Sequence, residues 1–293
     1  VTALEKLKEL ARLFEGEGIE DAAREAALLL TEILRISKTK LHSSPPDIGE
    51  TMLEKIDTLA ARRIHCEPMQ YIIGHVDFWG LRINVGKGVL IPRPETELLV
   101  EETIRLMRMI DRCKDVAVRR SVGLSILDLC TGSGCIALAL AKEFPQSVVS
   151  GIDRSVQALA YASRNAEGNG IGNVSFIEGD LFGPLRADAS FDCIISNPPY
   201  IRRSDIPSLQ KEIRYEPINA LDGGEDGLDF YRRILNEASR HLKKDGLLIL
   251  ELGFDQAEDV HRLAISQGFK DIRFVKDYAG IDRIFVLRFQ EAM

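Results

Sequence analysis

The run Phe191-Asp192-Cys193-Ile194-Ile195-Ser196 meets Asn197-Pro198-Pro199-Tyr200 without a break, and that junction constrains the fold more than any other stretch. Phe191, Cys193, Ile194 and Ile195 suit a buried pleated surface, although a short apolar run alone does not separate a strand from a buried helix. The two prolines decide it. Neither has an N–H for a ladder, and Pro198 pushes Asn197 out of the helical region. A buried strand therefore ends abruptly in an amide side chain, a rigid diproline and a phenol. In open α/β sheets, ligands bind at that carboxyl end.

Residues of these types suit recognition of a planar –NH2 group. The Asn197 side-chain carbonyl can accept one hydrogen and the Pro198 backbone carbonyl the other. Pro199 keeps the turn rigid, and Tyr200 can cover one face of a planar amide or base. Asn and Pro also make ordinary strand-to-loop turns, so the tetrapeptide acquires meaning only beside a second site.

That second site lies upstream. From Ser121 onward strand and helix alternate, the signature of a doubly wound sheet. The strand Ser125–Leu129 runs into Cys130-Thr131-Gly132-Ser133-Gly134 and a helix from Cys135. Glycines here let the backbone approach a ligand and turn tightly into a helix N-terminus. The next strand, 148–152, ends at Asp153, placed to accept both hydroxyls of a ribose. A third, 174–177, ends in Gly179-Asp180-Leu181, where Asp180 can accept from an adenine amino group and Leu181 can pack on the ring. Together these strand ends make a nucleoside site. Further strands over 247–251, 272–275 and 284–289 complete a set of seven, with helices over 228–242 and 256–267. Between them, residues 201–227 form a long loop of the kind that is usually functional, read as a cover facing the substrate, with Arg202 and Arg203 solvated.

Ahead of the sheet the period is helical. Thr2 and Glu5 match a capping box, followed by Leu7, Leu10, Leu13 and Phe14. Gly16 and Gly18 end that helix, and further helices are expected over 21–36 and 50–66, with a break at Ser43-Ser44-Pro45-Pro46 and a turn over 68–73. Residues 1–75 read as a small helical bundle without a catalytic group, and His42 and His65 as surface or interhelical residues. Residues 76–92 form a β-hairpin linker, too apolar for a flexible tether, and residues 93–293 the catalytic domain. Pro94 suits a first helical position, and Glu95 and Glu97 its positive end. Arg93, held between two prolines, either positions a substrate carbonyl or acidic side chain or pairs locally with Glu95 or Glu97.

A chain of 293 residues exceeds the size at which one core stops growing, consistent with two domains. Its net charge of −7 argues against a large basic footprint for nucleic acid. The five cysteines are odd in number, lack CxxC spacing and have no partnered histidines, so buried thiols in a reducing cytosol are expected, with no disulfides and no metal. No stretch approaches the roughly 18 apolar residues that span a bilayer, and the first residues lack a signal-peptide pattern. The expected location is cytoplasmic.

Gly132-Ser133-Gly134-Cys135-Ile136-Ala137 matches the dinucleotide fingerprint, making a nicotinamide-dependent oxidoreductase the natural rival. No His, Tyr-Lys or Ser constellation for hydride chemistry accompanies it, and the Asn-Pro-Pro-Tyr turn would stand idle. An –NH2 clamp beside a nucleoside site points instead to methyl transfer to nitrogen. Asp128 to Gly134, Asp153, Asp180 and Asn197 to Tyr200 resemble the class I amino-methyltransferases, whose Asn-Pro-Pro-Tyr turn is shared with enzymes acting on DNA adenine N6 and RNA guanine N2. Ile91-Pro92-Arg93-Pro94-Glu95-Thr96-Glu97, the helical N-terminal domain and the Phe-Trp-Gly linker narrow the match. They resemble the HemK/PrmC family, which methylates the glutamine amide in the Gly-Gly-Gln motif of peptide chain release factors.

The resemblance implies a Rossmann-like seven-stranded sheet, S-adenosylmethionine as cofactor and S-adenosylhomocysteine as product. It also implies a release factor as protein substrate, bound by the helical domain away from the glutamine. Asn197, Pro198 and Tyr200 would be catalytic, joined in substrate binding by Pro199 and Arg93. Cys130, Thr131, Gly132, Ser133, Gly134, Asp153, Asp180, Leu181 and Asn197 would bind the cofactor. Cys130 replaces a glycine usual in the family, and Leu181 a more typical aromatic residue. A monomer is expected, holding neither a membrane nor a stable nucleic acid. The alternative is a nucleic-acid exocyclic-amine methyltransferase. A non-enzymatic cofactor-binding adaptor is disfavoured because every reactive-site residue is present.

Overall fold

The structure is a computed structural model that describes residues 1–113 and 123–290. Ser121 and the Cys113 thiol lie outside the described residues. The chain divides into two compact units, one of Val1–His75 with Gln210–Tyr215, the other of Val76–Leu209 with Glu216–Met293.

The helical unit holds α1 (Ala3–Gly16), α2 (Ala22–Leu34), α3 (Lys38–Ser43), α4 (Glu50–Ile64) and α5 (Met69–Ile73). The capping box is formed: Thr2 Oγ1 accepts from the Glu5 N–H at 3.2 Å, and Glu5 Oε2 accepts from the Thr2 N–H at 2.8 Å. Leu10, Phe14, Leu29, Leu30 and Ile56 are wholly buried in a core shared by α1, α2 and α4. Helix α3 is additional to the sequence reading. It is short and buries only Leu41, leaving no apolar period to detect, and Ser37 caps it by accepting from the Lys40 N–H at 3.1 Å.

The expected catalytic domain was continuous from residue 93, whereas residues 210–215 belong to the helical unit. The reason is ionic. Arg63 on α4 is 5% exposed and donates to Glu25 at 2.5 Å and to Glu212 at 3.0 Å. Tyr215 adds a bond from its hydroxyl to the His65 carbonyl at 2.8 Å. A guanidinium taken out of water needs carboxylates around it.

Next along the chain, β1 (His75–Phe78) and β2 (Leu81–Asn84) form the hairpin. Trp79 and Gly80 both have positive φ, 51° and 64°, as a two-residue type I′ turn requires. Trp79 accepts that conformation because Glu97 takes its backbone N–H at 2.7 Å and Glu143 its indole N–H at 3.1 Å. Helix α6 (Pro94–Cys113) begins at the expected proline. Then follow β3 (Ser125–Leu129), α7 (Cys135–Glu143), β4 (Val148–Asp153), α8 (Val156–Gly168), β5 (Val174–Glu178), β6 (Phe191–Ser196), α9 (Asp229–His241), β7 (Leu242–Glu251), α10 (Ala257–Ser266), β8 (Ile272–Lys276) and β9 (Asp282–Arg288). Leu242, expected to end a helix, opens β7 instead, which continues through Lys243-Lys244-Asp245-Gly246.

The seven strands lie in the order β5-β4-β3-β6-β7-β9-β8, parallel from β5 to β7, with β9 antiparallel to both neighbours. The order reverses between β3 and β6, the topological switch point where such sheets bind ligands. Leu129 stands opposite Ser196 in that pair, and Ser196 Oγ donates to the Leu129 carbonyl at 2.7 Å. The two loops that follow therefore leave the sheet side by side. Every residue of β6 is buried. Among the described residues no helix is long and apolar enough to cross a membrane.

Removing one carboxylate from Arg63 tests the ionic account of the helical unit. Glu25→Ala leaves a buried guanidinium short of a partner and should cost about 3 kcal/mol. The more exposed Glu212 should cost at most about 1 kcal/mol on the same change. Urea unfolding followed by circular dichroism measures both.

Candidate active site

Above the switch point lies a cleft of about 880 Å³, its mouth included. The loop Cys130 to Ser133, Asp153, Asp180, Leu181, Asn197 and Pro199 line it, as do Pro217, Asn219 and Ala220 of the long loop. Gly134, Pro198, Tyr200 and Arg93 do not.

The glycine loop is organised from beneath by Asp128. This wholly buried residue accepts through Oδ2 from Thr131 Oγ1 at 2.6 Å and from the Ala137 N–H at 3.2 Å. A carboxylate against the first turn of α7 matches the positive end of that helix. Burial pushes its pKa up to about 7; Thr131 and Ala137 oppose the rise and Asp153 adds to it. Cys130 sits at φ 58°, in the left-handed region that costs a β-carbon about 1 kcal/mol. That conformation explains why glycine suits the position. The thiol remains free, and burial pushes its pKa up, with Asp153 and Asp128 adding to the effect.

Asp153 accepts the Gly132 N–H on one oxygen and the Ser155 N–H on the other, each at 2.8 Å. Each oxygen keeps a lone pair for a further donor. Burial raises its pKa, against the bonds from Ser155 and Gly132. Asp180 reaches the cleft while paired with Arg233 at 2.6 Å. Leu181 is buried at φ 50°. Asn165 braces the loop from α8, donating to the Ser133 carbonyl at 3.0 Å and accepting the Asn84 N–H at 2.7 Å.

At the end of β6, Asn197 Nδ2 donates to Thr96 Oγ1 at 3.2 Å. Asn197 Oδ1 takes no bond from a described residue, and neither does the Pro198 carbonyl. Tyr200 is held at both ends: its hydroxyl donates to Glu251 Oε1 at 3.4 Å, and its carbonyl accepts from Gln256 Nε2 at 2.8 Å. Burial, then the Glu251 carboxylate, push its phenol well above the ordinary range. Arg93 pairs with Glu216 at 2.5 Å, so the local partners Glu95 and Glu97 are not the ones it uses. Glu216 also accepts the Ile91 N–H at 3.0 Å, fixing the Pro-Arg-Pro segment.

Thr96, Glu251, Gln256 and Glu216 escaped the sequence reading. One signal for Glu251 was present, since it is an acidic residue ending a parallel strand, as Asp153 is.

A model described as "Methyltransferase domain" matches residues 120–274, and one described as "PrmC N-terminal domain" matches residues 5–74. The fold and the cleft thus define a class I methyltransferase. A T. thermophilus 16S rRNA methyltransferase solved in complex with AdoMet and guanosine shares this fold, with TM-score 0.51 and 18% identity over 74% of this chain and 50% of that one. A protein named release factor glutamine methyltransferase from Thermodesulfovibrio yellowstonii is 44% identical over 98% of both chains. Its namesake from Geobacter sulfurreducens is 43% identical over 92% of this chain and 90% of its own. The chain belongs to the release factor glutamine methyltransferase family.

Two glycines of the loop should respond differently to a methyl group. At Gly134 (φ 80°) a Cβ would lie 3.0 Å from Ala162 Cβ and 3.1 Å from Phe176 Cζ. Gly134→Ala should therefore combine left-handed strain with overpacking and cost about 2–4 kcal/mol. At Gly132 (φ 54°) the nearest atom is 4.0 Å away, and Gly132→Ala should cost only about 1 kcal/mol. Chemical denaturation of the two variants checks the contrast.

Proposed function

We propose that this enzyme transfers a methyl group from S-adenosylmethionine to the side-chain amide nitrogen of the glutamine in the Gly-Gly-Gln motif of peptide chain release factors. The observation that carries the reading is Asn197, a cleft residue whose Nδ2 is engaged by Thr96 and whose Oδ1 is left to accept. Beside it the Pro198 carbonyl is likewise unengaged. Two acceptors at one turn match the two hydrogens of a carboxamide.

The cleft suits the cofactor. Ser133 Oγ is buried without a protein partner on its lining, and Asp153 keeps spare lone pairs there. We assign Asp153 to the ribose hydroxyls, Asp180 to the adenine amino group and Leu181 to the ring. The loop from Cys130 to Gly134, together with Asn197, would hold the remainder. When bound, S-adenosylmethionine supplies a methyl group on a sulfonium and leaves as the neutral thioether S-adenosylhomocysteine.

The chain's own residues perform placement. An amide nitrogen is a weak nucleophile because its lone pair is delocalised into the carbonyl. Asn197 Oδ1 and the Pro198 carbonyl fix the orientation of that nitrogen and favour the positive charge that grows on it. Pro199 keeps the turn rigid, while Tyr200, tied to Glu251 and Gln256, anchors its far end. Arg93 acts through Glu216, which holds the Ile91 backbone. No side chain is needed as a strong base, since the proton is lost to solvent after transfer. We assign residues 1–75 to recognition of the release factor away from the glutamine.

Asn197→Ala should lower turnover on a purified release factor by roughly 10²–10³, while affinity for S-adenosylhomocysteine changes less. Transfer of labelled methyl measures the first, with a Gln→Ala release factor as control, and calorimetry the second. Turnover near that of the wild type, or label on the Gln→Ala substrate, would rule out the amide clamp.

A further inference from the structure

Behind the turn a chain of hydrogen bonds runs from Asn197 through Thr96, which also touches the cleft wall, to Glu251. Thr96, in the first turn of α6, is 2% exposed, and Glu251, the last residue of β7, is 4% exposed. Thr96 Oγ1 lies 2.8 Å from Glu251 Oε2 and 3.2 Å from Asn197 Nδ2. The β6–β7 register sets Ser196 opposite Leu250, so Asn197 and Glu251 follow side by side with Thr96 bridging them.

The direction of these bonds matters because a carboxamide is nearly symmetric in shape and opposite in chemistry at its two ends. An ionised Glu251 only accepts. It takes the Thr96 hydroxyl hydrogen on Oε2 and the Tyr200 hydroxyl hydrogen on Oε1. Thr96 Oγ1, its single hydrogen committed, then has only lone pairs to offer Asn197. The end of the carboxamide that faces it must be the –NH2, and Oδ1 is turned the other way.

We propose that Thr96 and Glu251 are positioning residues for the methyl transfer, and that they act by fixing which end of the Asn197 carboxamide faces the substrate amide. The inference rests on the reading of Asn197 as the amide acceptor. A proton on Glu251 reverses the chain. Oε2–H donates to Thr96 Oγ1, the Thr96 hydroxyl hydrogen turns to Asn197, and Oδ1 is drawn toward Thr96. Nδ2 then faces the substrate, presenting a donor to a donor.

The groups around Glu251 set where that reversal occurs. Burial pushes its pKa up to about 7; the Thr96 hydroxyl and Arg283 on β9 oppose the rise, Glu95 on α6 adds to it, and Tyr200 opposes it. Tyr231 on α9 donates to the Glu251 backbone carbonyl at 2.9 Å, and burial raises the Tyr231 phenol pKa, with the carboxylate's charge adding to the rise. Cys135 on α7 is also close enough to feel its charge. The acceptor arrangement requires the ionised form, so turnover should rise with pH through about 7.

The test is kcat against pH for the wild type, Thr96→Val, Thr96→Ser and Asn197→Ala, with S-adenosylhomocysteine affinity measured alongside. Thr96→Val should lose about 10–100-fold in kcat, the range seen when an outer partner orienting a ligating group is removed. Its S-adenosylhomocysteine affinity should hold, and the part of the acid limb near neutrality that Glu251 contributes should be lost. Thr96→Ser, which restores the hydroxyl, should recover most of the loss and the limb. A Thr96→Val kcat within threefold of the wild type, or a Thr96→Ser kcat no higher than that of Thr96→Val, overturns the inference. So does a wild-type kcat that is flat from about pH 6 to 8, a measurement that needs no variant to fold. If Asn197→Ala itself turns over normally, the acceptor reading fails. If Asn197→Ala is slow and Thr96→Val is not, only the positioning role falls.

Discussion

A diproline cannot enter a β-ladder, and the site depends on where that forces β6 to stop. Ser196 still pairs with Leu129 and Leu250. From Pro198, two residues later, the backbone lacks the N–H groups needed to continue. Asn197 is thereby fixed at the rim of the sheet, level with the loop that leaves β3, at the switch in strand order. The Pro198 carbonyl has no described N–H bonded to it. Rigidity and an unmet acceptor come from the same two residues.

Around that turn the protein places ionisable groups in the sheet interior, where burial disfavours their charge. Asp128 and Glu251 both have pKa values raised to about 7 by burial, and both accept from a threonine hydroxyl. Each ends up directing a neighbouring loop: Asp128 the glycine loop through Thr131, Glu251 the diproline turn through Thr96 and Tyr200. Apolar residues of similar volume would be easier to bury. They would leave Thr131, Thr96 and Asn197 free to choose other partners, and the amide clamp proposed for Asn197 requires that freedom to be removed.

What the sequence disclosed follows from what is local. The β6 junction, the glycine loop, the capping box at Thr2 and the start of α6 at Pro94 are each set by a few adjacent residues. The cluster of strand ends was legible because parallel strands deliver their loops to one edge. Long-range pairs were not. Arg93 could be marked as constrained, but nothing local points to Glu216, 123 residues away. Thr96 lay inside a stretch already singled out, yet its partner Glu251 is 155 residues distant. Residues 210–215 read as part of one loop because Arg63, buried on another element, supplies their anchor. The polar tract 243–246 lay between the expected helix and the expected strand, although pairing of Leu242 with Phe191 brings it into β7.

A crystal structure with S-adenosylhomocysteine and a Gly-Gly-Gln peptide tests the central claim most directly, because it locates the carboxamide nitrogen itself. That nitrogen should lie within about 3.2 Å of both Asn197 Oδ1 and the Pro198 carbonyl oxygen, with its remaining face toward the cofactor sulfur. A glutamine side chain bound elsewhere in the cleft, or an Asn197 turned with Oδ1 toward Thr96 in a catalytically competent crystal, would contradict the account.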